Sequence, residues 1–380
     1  MKIGIEAQRL FRKKQHGMEI VTLELIKQLQ KIDQENEYVI FVKEDVNKEC
    51  VLPTGNFKIR ITPNYSYPLW EQFYLPRLAK KEGVDLLHCT SNTAPVVSST
   101  PLLLTLHDII YIEKTSFAGT AYQNFGNLYR KFVVPRVIDQ CRSIITVSAY
   151  EKAKIVERLS IEQDRVEVVY NAINKSFKKI SDESLLAATR EKYKLPPRFM
   201  LHFGNTAPKK NTLGVIEAFA KYCAENDRPL PLVITDCSPD YVEQLVDKVD
   251  KINSSQVLSR LVVLDHIPFT ELPSLYNCAS LFLYPSLRES FGMPILEAMA
   301  CGVPVITSDT SSMPEVSQGA AWLVNPEQPD ELAKGIKRLL QDKDLRTTQI
   351  NKGLARAAGF SWENTARQVL TLYNRWANVN

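Results

Sequence analysis

Short runs rich in β-branched and leucine residues alternate along the chain with longer segments whose apolar positions recur at helical spacing, the pattern of parallel α/β units. In the first half the pattern predicts strands at Lys2–Glu6, Tyr38–Val42, Lys58–Thr62, Asp85–Cys89, Leu102–Leu106, Ser143–Val147 and Val166–Tyr170. A helix over Gly17–Gln30 gathers Ile20, Leu23, Leu25, Ile26 and Leu29 roughly on one side. Further helices are predicted at Trp70–Glu82, at Thr120–Asp139 with an interruption near Pro135, and at Ala149–Leu159. The stretch Asn171–Pro197 is polar and lysine-rich and ends in Pro196-Pro197, which the interior of a helix or central strand would not accept. It reads as the connection between two domains, 1–180 and 198–364, with 181–197 as the linker. The alternation then restarts: strands Phe199–Phe203, Leu230–Thr235, Leu261–Leu264, Leu281–Tyr284 and Val303–Thr307, and helices Thr212–Asn226, Pro239–Asn253, Phe269–Cys278 and Pro294–Ala300. Ser238 is the expected cap of the helix opened by Pro239.

Composition adds bounds. A length of 380 residues favours two cores over one. The net charge of +4 gives no argument for nucleic acid. Seven dispersed cysteines, with no CxxC pair, read as reduced thiols of a cytoplasmic protein. The opening MKIGIEA is strand-like and lacks the apolar region of a signal peptide, and no apolar run is long enough to span a bilayer. The expectation is a cytoplasmic chain, soluble or peripheral at the inner face of the membrane. Tyr129–Arg136 mixes basic and apolar residues as an interfacial segment does, although an amphipathic helix packed on its own sheet fits it better.

Neither a Gly-rich dinucleotide fingerprint after Lys2–Glu6 nor a phosphate-binding loop of the GxxxxGK[ST] form is present. The informative stretch is Tyr284–Val316, YPSLRESFGMPILEAMACGVPVITSDTSSMPEV. Its pattern places Glu289 in a loop at a strand's carboxyl end, where open α/β sheets bind ligands. Glu297 falls in the first or second turn of the following helix. The amides of Phe291, Gly292 and Met293 crown that helix, a ready site for a diphosphate. Taken alone the two carboxylates also suit a bland role, Glu297 complementing the helix dipole and Glu289 solvated.

The whole string closely resembles the E-x7-E region of glycosyltransferase family 4, retaining enzymes with the GT-B fold. His202–Asn211, HFGNTAPKKN, is similar to that family's G-x-x-x-P-R-K-N loop, with Lys209 in place of the usual Arg, Lys210 matching the Lys, and Asn205 where some members carry Arg. Asn211 is expected to cap the next helix. Trp70–Pro76, Asp85–Val96 and LTLHDI at Leu104–Ile109 look like the mannosyltransferase-type branch, and Gly17 occupies the glycine position before the first helix. The family's G-I-G-R-Y type run is Gly17-Met18-Glu19-Ile20 here. FSWE at Phe360–Glu363 and the segment after it resemble the C-terminal helix that crosses back, so that 365–380 would complete the first domain.

The resemblance implies two Rossmann-like domains facing across a cleft, acceptor side first and donor side second. It implies transfer of a sugar, mannose from GDP-mannose as the first choice, from a nucleoside diphosphate sugar to a glycan or lipid-linked saccharide, with retention. Glu289 would orient the donor sugar, Lys209 and Lys210 would neutralise the diphosphate, Glu297 would hold the ribose, and His107 would contact the transferred sugar or donor phosphate. A packed or capping role for His107 stays open. His16, His88, His202 and His266 read as structural or incidental. No cofactor beyond the donor co-substrate and no metal is required by this scheme, and Asp342-Lys343-Asp344 reads as a solvated turn. The competing expectations are a non-catalytic GT-B subunit and, behind it, a sugar-nucleotide epimerase.

Overall fold

A computed structural model describes residues 1–13, 17–113, 121–249 and 254–377. Residues 14–16, Thr120, the end of the helix predicted to reach Asn253, and residues 378–380 lie outside the described residues. The chain forms two compact units, Met1–Asn171 with Ser361–Asn380, and Ala172–Phe360.

The first unit is built on a seven-stranded parallel sheet: β1 Lys2–Glu6, β2 Glu37–Lys43, β3 Phe57–Thr62, β4 Leu86–Cys89, β5 Leu102–Thr105, β6 Cys141–Thr146 and β7 Val166–Val168, in the order β3-β2-β1-β4-β5-β6-β7. The second holds six parallel strands: β8 Met200–Phe203, β9 Leu232–Thr235, β10 Leu261–Leu264, β11 Leu281–Tyr284, β12 Val305–Ser308 and β13 Trp322–Val324, in the order β10-β9-β8-β11-β12-β13. Strands buried on both faces explain the near-continuous apolar runs, such as LLLT of β5 and LFLY of β11. In each sheet the order reverses beside its first strand, between β1 and β4 and between β8 and β11. A parallel sheet of this kind opens a crevice at the carboxyl ends of the strands flanking such a reversal.

The helices that matter below are α1 Gly17–Ile32, α2 Leu75–Glu82, α3 Ala121–Val137, α4 Glu183–Lys192, α5 Thr212–Ala224, α6 Met293–Ala300 and α7 Trp362–Ala377. Ala366, Val369, Leu372 and Tyr373 of α7 enter the same core as Ile3, Ile5, Ile26 and Leu29, so the C-terminal helix does cross back to the first unit. Buried His88 fixes it there: Nδ1 pairs with the Tyr373 hydroxyl at 2.7 Å and Nε2 with Thr105 Oγ1 at 2.7 Å. Burial lowers that imidazole to about 3, so it is neutral.

Several predicted elements differ in detail. The segment read as one helix over Trp70–Glu82 is a π turn, Trp70–Tyr74, followed by α2. Pro76 has no N–H to give, and its ring would crowd the carbonyl one turn back, which the wider turn relieves. Pro135 does not interrupt α3, which runs on to Val137. The stretch predicted as linker contains α4, which Asp182 caps by accepting from the amides of Ser184 and Leu185. Ser238 caps as expected, its Oγ accepting from Tyr241 N at 3.3 Å. Among the described residues no helix is long and apolar enough to cross a membrane.

Candidate active site

At the reversal of the second sheet, the loops leaving β8 and β11 bring together residues far apart in sequence. Gly204 directly follows β8, and a Cβ there would lie 2.8 Å from Cys237 Sγ and 3.1 Å from Ile234 of β9, so glycine lets the loop start tight against β9. Asn205 Oδ1 accepts from Ala207 N at 2.8 Å and shapes the turn. Lys209 and Lys210 follow in a short 3₁₀ turn. Asn211 does not cap α5 with its side chain. It sits at φ +57°, and its amide donates to the carbonyls of Pro285 at 3.0 Å and Pro326 at 2.8 Å, tying three loops together.

Lys210 Nζ donates to Glu289 Oε1 at 2.7 Å and to the Tyr284 hydroxyl at 2.7 Å, and it lies 4.7 Å from the Tyr284 ring centroid. Lys209 Nζ stands 3.7 Å from Glu289 Oε2. Burial by itself would raise the Glu289 carboxyl. The two cations, with hydrogen bonds from Lys210 and Tyr284, overcome it and hold the group at about 2. Two serines fix the loop: Ser311 Oγ donates to the Glu289 carbonyl at 2.6 Å and accepts from its amide at 3.1 Å, and Ser312 Oγ donates to the same carbonyl at 2.9 Å. Ser312 also donates to the carbonyl of Phe291 at 3.0 Å. The SSMPEV string thus acts on Glu289 through its hydroxyls.

Gly292 then opens α6 at φ +98°, a region that disfavours side chains. It has no side chain with which to cap the helix, and its carbonyl accepts from Ile295 N at 3.0 Å. Phe291 is anchored beneath, its ring 5.9 Å from that of Phe360. Met293 is the first helical residue. Glu297, one turn further, is buried and pushed up to about 7 by desolvation, against a hydrogen bond from the Tyr276 hydroxyl (3.0 Å to Oε2) and the Lys210 charge. One site therefore holds a carboxylate that stays charged, a second that titrates near neutrality, two lysines and a helix N-terminus. Anion binding at the lysines and helix head, with hydroxyl recognition at the carboxylates, is the chemistry this set can perform.

Predicted positions in the first unit gather at its own reversal. His107 follows β5, is buried, and pairs Nε2 with the Thr90 carbonyl at 3.0 Å, while its amide donates to Asn92 Oδ1 at 2.6 Å. A carbonyl partner requires the proton on Nε2 and leaves Nδ1 as acceptor. Burial lowers its pKa, partly offset by the Thr90 bond and by Asp108 and Glu19. Gly17 begins α1 and is exposed. Unforeseen in the sequence is a cluster around Glu71, which accepts from Tyr67, Thr93, Tyr129 and Gln72. Burial raises the carboxyls of Glu71 and of nearby Glu6. The π turn is what points Glu71 inward, a feature that helical periodicity could not reveal. Tyr284, Tyr276, Ser311 and Ser312 were missed as well. For Tyr284, Ser311 and Ser312 only their presence inside the motif string could have signalled them, and Tyr276 lies outside it.

Of the remaining histidines, His202 is buried against the Leu283 carbonyl at 2.9 Å and lowered to about 4 by desolvation, and His266 pairs with Asp236 at 3.0 Å. Asp342 caps the helix after it by accepting from Leu345 N at 2.9 Å. Among the described residues no group of three or more His, Cys, Asp or Glu side chains is placed to hold a metal ion.

A family model described as Glycosyltransferase Family 4 matches residues 16–177, and one described as Glycosyl transferases group 1 matches residues 187–356. The O-antigen chain mannosyltransferase B of Escherichia coli is 32% identical over 240 residues, 62% of this chain and 61% of its own length. The serotype-specific mannosyltransferase WbdA of the same species is 28% identical over 272 residues, 71% of this chain but 33% of its own length. The chain thus spans about three fifths of the first relative and a third of the second. Among solved structures, Anabaena HepE in complex with UDP-glucose superposes with a TM-score of 0.76 at 19% identity, covering 99% of this chain and 100% of that one. At that identity the likeness concerns the fold, which is GT-B.

Proposed function

We propose, for a chain that belongs to glycosyltransferase family 4, that it moves a sugar from a nucleoside diphosphate sugar to a hydroxyl of a glycan or lipid-linked saccharide, retaining the anomeric configuration. The donor of first choice is GDP-mannose and the setting is synthesis of a cell-surface polysaccharide, as the O-antigen names of the relatives suggest. The observation that carries the reading is the buried Glu289–Lys210 pair beside the head of α6. A lysine already neutralised by a carboxylate can share its remaining donor with phosphate, and the carboxylate is held ionised to accept from sugar hydroxyls.

In this proposal Lys209, Lys210 and the amides of Phe291, Gly292 and Met293 stabilise the departing diphosphate. Glu289 orients the sugar and Glu297 accepts from the ribose. The leaving diphosphate takes the proton of the attacking hydroxyl, so the protein supplies position and charge. Gly17 offers close backbone approach, and His107 offers the acceptor nitrogen Nδ1. The scheme calls for no cofactor other than the donor.

Thermal unfolding against a panel of nucleoside diphosphates and their sugars tests it. A ligand at about 100 times its dissociation constant adds about 2.7 kcal/mol and raises the midpoint by a few degrees. The expected result is a shift with one base that Lys210→Ala removes, together with nucleoside diphosphate release that requires an acceptor. No shift with any nucleotide in folded protein would overturn the reading.

A further inference from the structure

At the amino ends of β5, β6 and β7, on the side of the first sheet away from its crevice, lies a cavity of about 520 Å³ that sugar transfer does not use. Parallel strands begin there together, so four parts of the chain meet: the loop before β5, the first residues of β6, the residue before β7 and the last turn of α7. They bring Ser99 and Thr100, Arg142, Arg165 and Trp376, respectively, to the lining.

Arg142 holds an unusual place in its strand. Its neighbours Cys141 and Ser143 are buried while Arg142 is exposed. The pairing of β5 with β6 skips it: Leu102 faces Cys141 and Leu103 faces Ser143. An extra residue of this kind is left out of the ladder and its side chain is re-aimed. The guanidinium lies 5.6 Å from the centroid of the Trp376 ring and forms no ion pair with a described residue. The other arginines nearby are engaged. Arg165 spends Nη2 on the carbonyls of Ile138 at 2.7 Å and Cys141 at 2.8 Å, and Arg375 donates to Glu167 at 2.6 Å. Asp139 supplies the one carboxylate of the lining; it stands 3.9 Å from Arg165 with its side chain 82% exposed, where solvent screens it. Trp376 adds a second unspent group, because its Nε1–H is buried without an acceptor among the described residues. A buried donor left unmade is a cost that an incoming acceptor would remove.

Both unspent groups are donors, and the hydroxyls of Ser99 and Thr100 can donate as well. These donors come from three separate parts of the chain, which the three oxygens of a phosphoryl group serve better than the two of a carboxylate. The volume falls within the range of sites for small organic molecules, about 300–1,000 Å³, so the phosphoryl group has room to carry a body.

We propose that this cavity binds an organic phosphate, with its phosphoryl oxygens on Arg142 and on Trp376 Nε1. The inference goes beyond sugar transfer and stands whether or not that reading holds, because the site and its readout both lie in the first unit. The indole N–H resonances of the isotope-labelled full chain are followed, that of Trp376 being identified by its loss in Trp376→Phe. Inorganic phosphate, a hexose phosphate and a nucleoside monophosphate are titrated at constant ionic strength. The expected result is a shift of the Trp376 resonance by one of the two organic phosphates, which bind about tenfold or more tightly than inorganic phosphate. Which of the two binds more tightly tells whether the body is a sugar or a nucleoside. Arg142→Gln should weaken that binding by about tenfold or more. Arg142 is exposed, so this variant should unfold at the wild-type midpoint. Lys210→Ala, in the second unit, should leave the shift unchanged. A Trp376 resonance that no phosphate moves, or a shift equally strong in Arg142→Gln, would overturn the proposal. So would inorganic phosphate binding as tightly as both organic phosphates, which would reduce the site to general anion attraction, or a shift that Lys210→Ala abolishes.

Discussion

Both units place buried carboxyls near the reversal of their parallel sheets, and Glu289 of the second is held in the opposite way to Glu6 and Glu71 of the first. In the first unit, Glu6 accepts from the amides of Gln8 and Thr90 and Glu71 from hydroxyls and a carboxamide, and burial raises both. In the second, Glu289 is also buried but faces Lys209 and Lys210, and its pKa falls to about 2. Topology alone therefore says where a site can form, while the partners of a single carboxyl decide whether that site presents charge. A carboxylate paired with lysines suits a diphosphate site, and a hydroxyl-lined one serves chiefly to lock helices and loops in place.

The sharpest way to break this comparison is to remove either member of the charged pair. Glu289→Ala or Lys210→Ala should lower acceptor-dependent release of nucleoside diphosphate by about 10²–10⁴, about 3–5 kcal/mol of barrier. Turnover near wild type in both variants would show that the pair is structural. Removing the hydroxyl-lined hub at Glu71 should act on stability instead. Glu71→Ala strands the donors of Tyr67, Thr93, Tyr129 and Gln72 and should cost about 3 kcal/mol or more, seen as a midpoint several degrees lower with the nucleotide-induced shift preserved.

Glu297 tests the comparison within the second unit. Its folded pKa of about 7 lies above its ordinary 4.5, so the native state binds a proton that the unfolded chain has released. Stability from this group is present below about 4.5 and is lost as pH rises through about 7. Glu297→Gln should flatten that decline, by about 1–3 kcal/mol in denaturant titrations across the window. Glu289 has the opposite sign, its contribution being present above 4.5 and lost as pH falls toward about 2. The smallest effect is expected for Tyr284→Phe, which removes one acceptor from Lys210 but leaves Glu289. A rate loss of about three- to tenfold, in kcat more than in KM, would mark the hydroxyl as positioning.

The sequence by itself determined the strands other than β13 and their parallel arrangement, because doubly buried strands must be continuous in apolar residues; β13, Trp322–Val324, is short and partly exposed and left no such run. It also marked Glu289 and Glu297 within a distinctive string, and Lys209 and Lys210 in a loop that follows a strand. What only the tertiary structure decided concerns partners. Asn211 was legible as a cap and proved to be a tie between loops, because its backbone enters the left-handed region before α5 begins. Glu71 was hidden because a π turn breaks the periodicity on which inward and outward positions are read. The pairing of Lys210 with Glu289, 79 residues apart, depends on β8 and β11 lying side by side, and the Tyr276 hydroxyl on Glu297 depends on how the helices before and after β11 pack. Local sequence fixes which way a residue's own backbone turns, whereas the charge state of a buried carboxyl is set by whatever the rest of the chain brings to it.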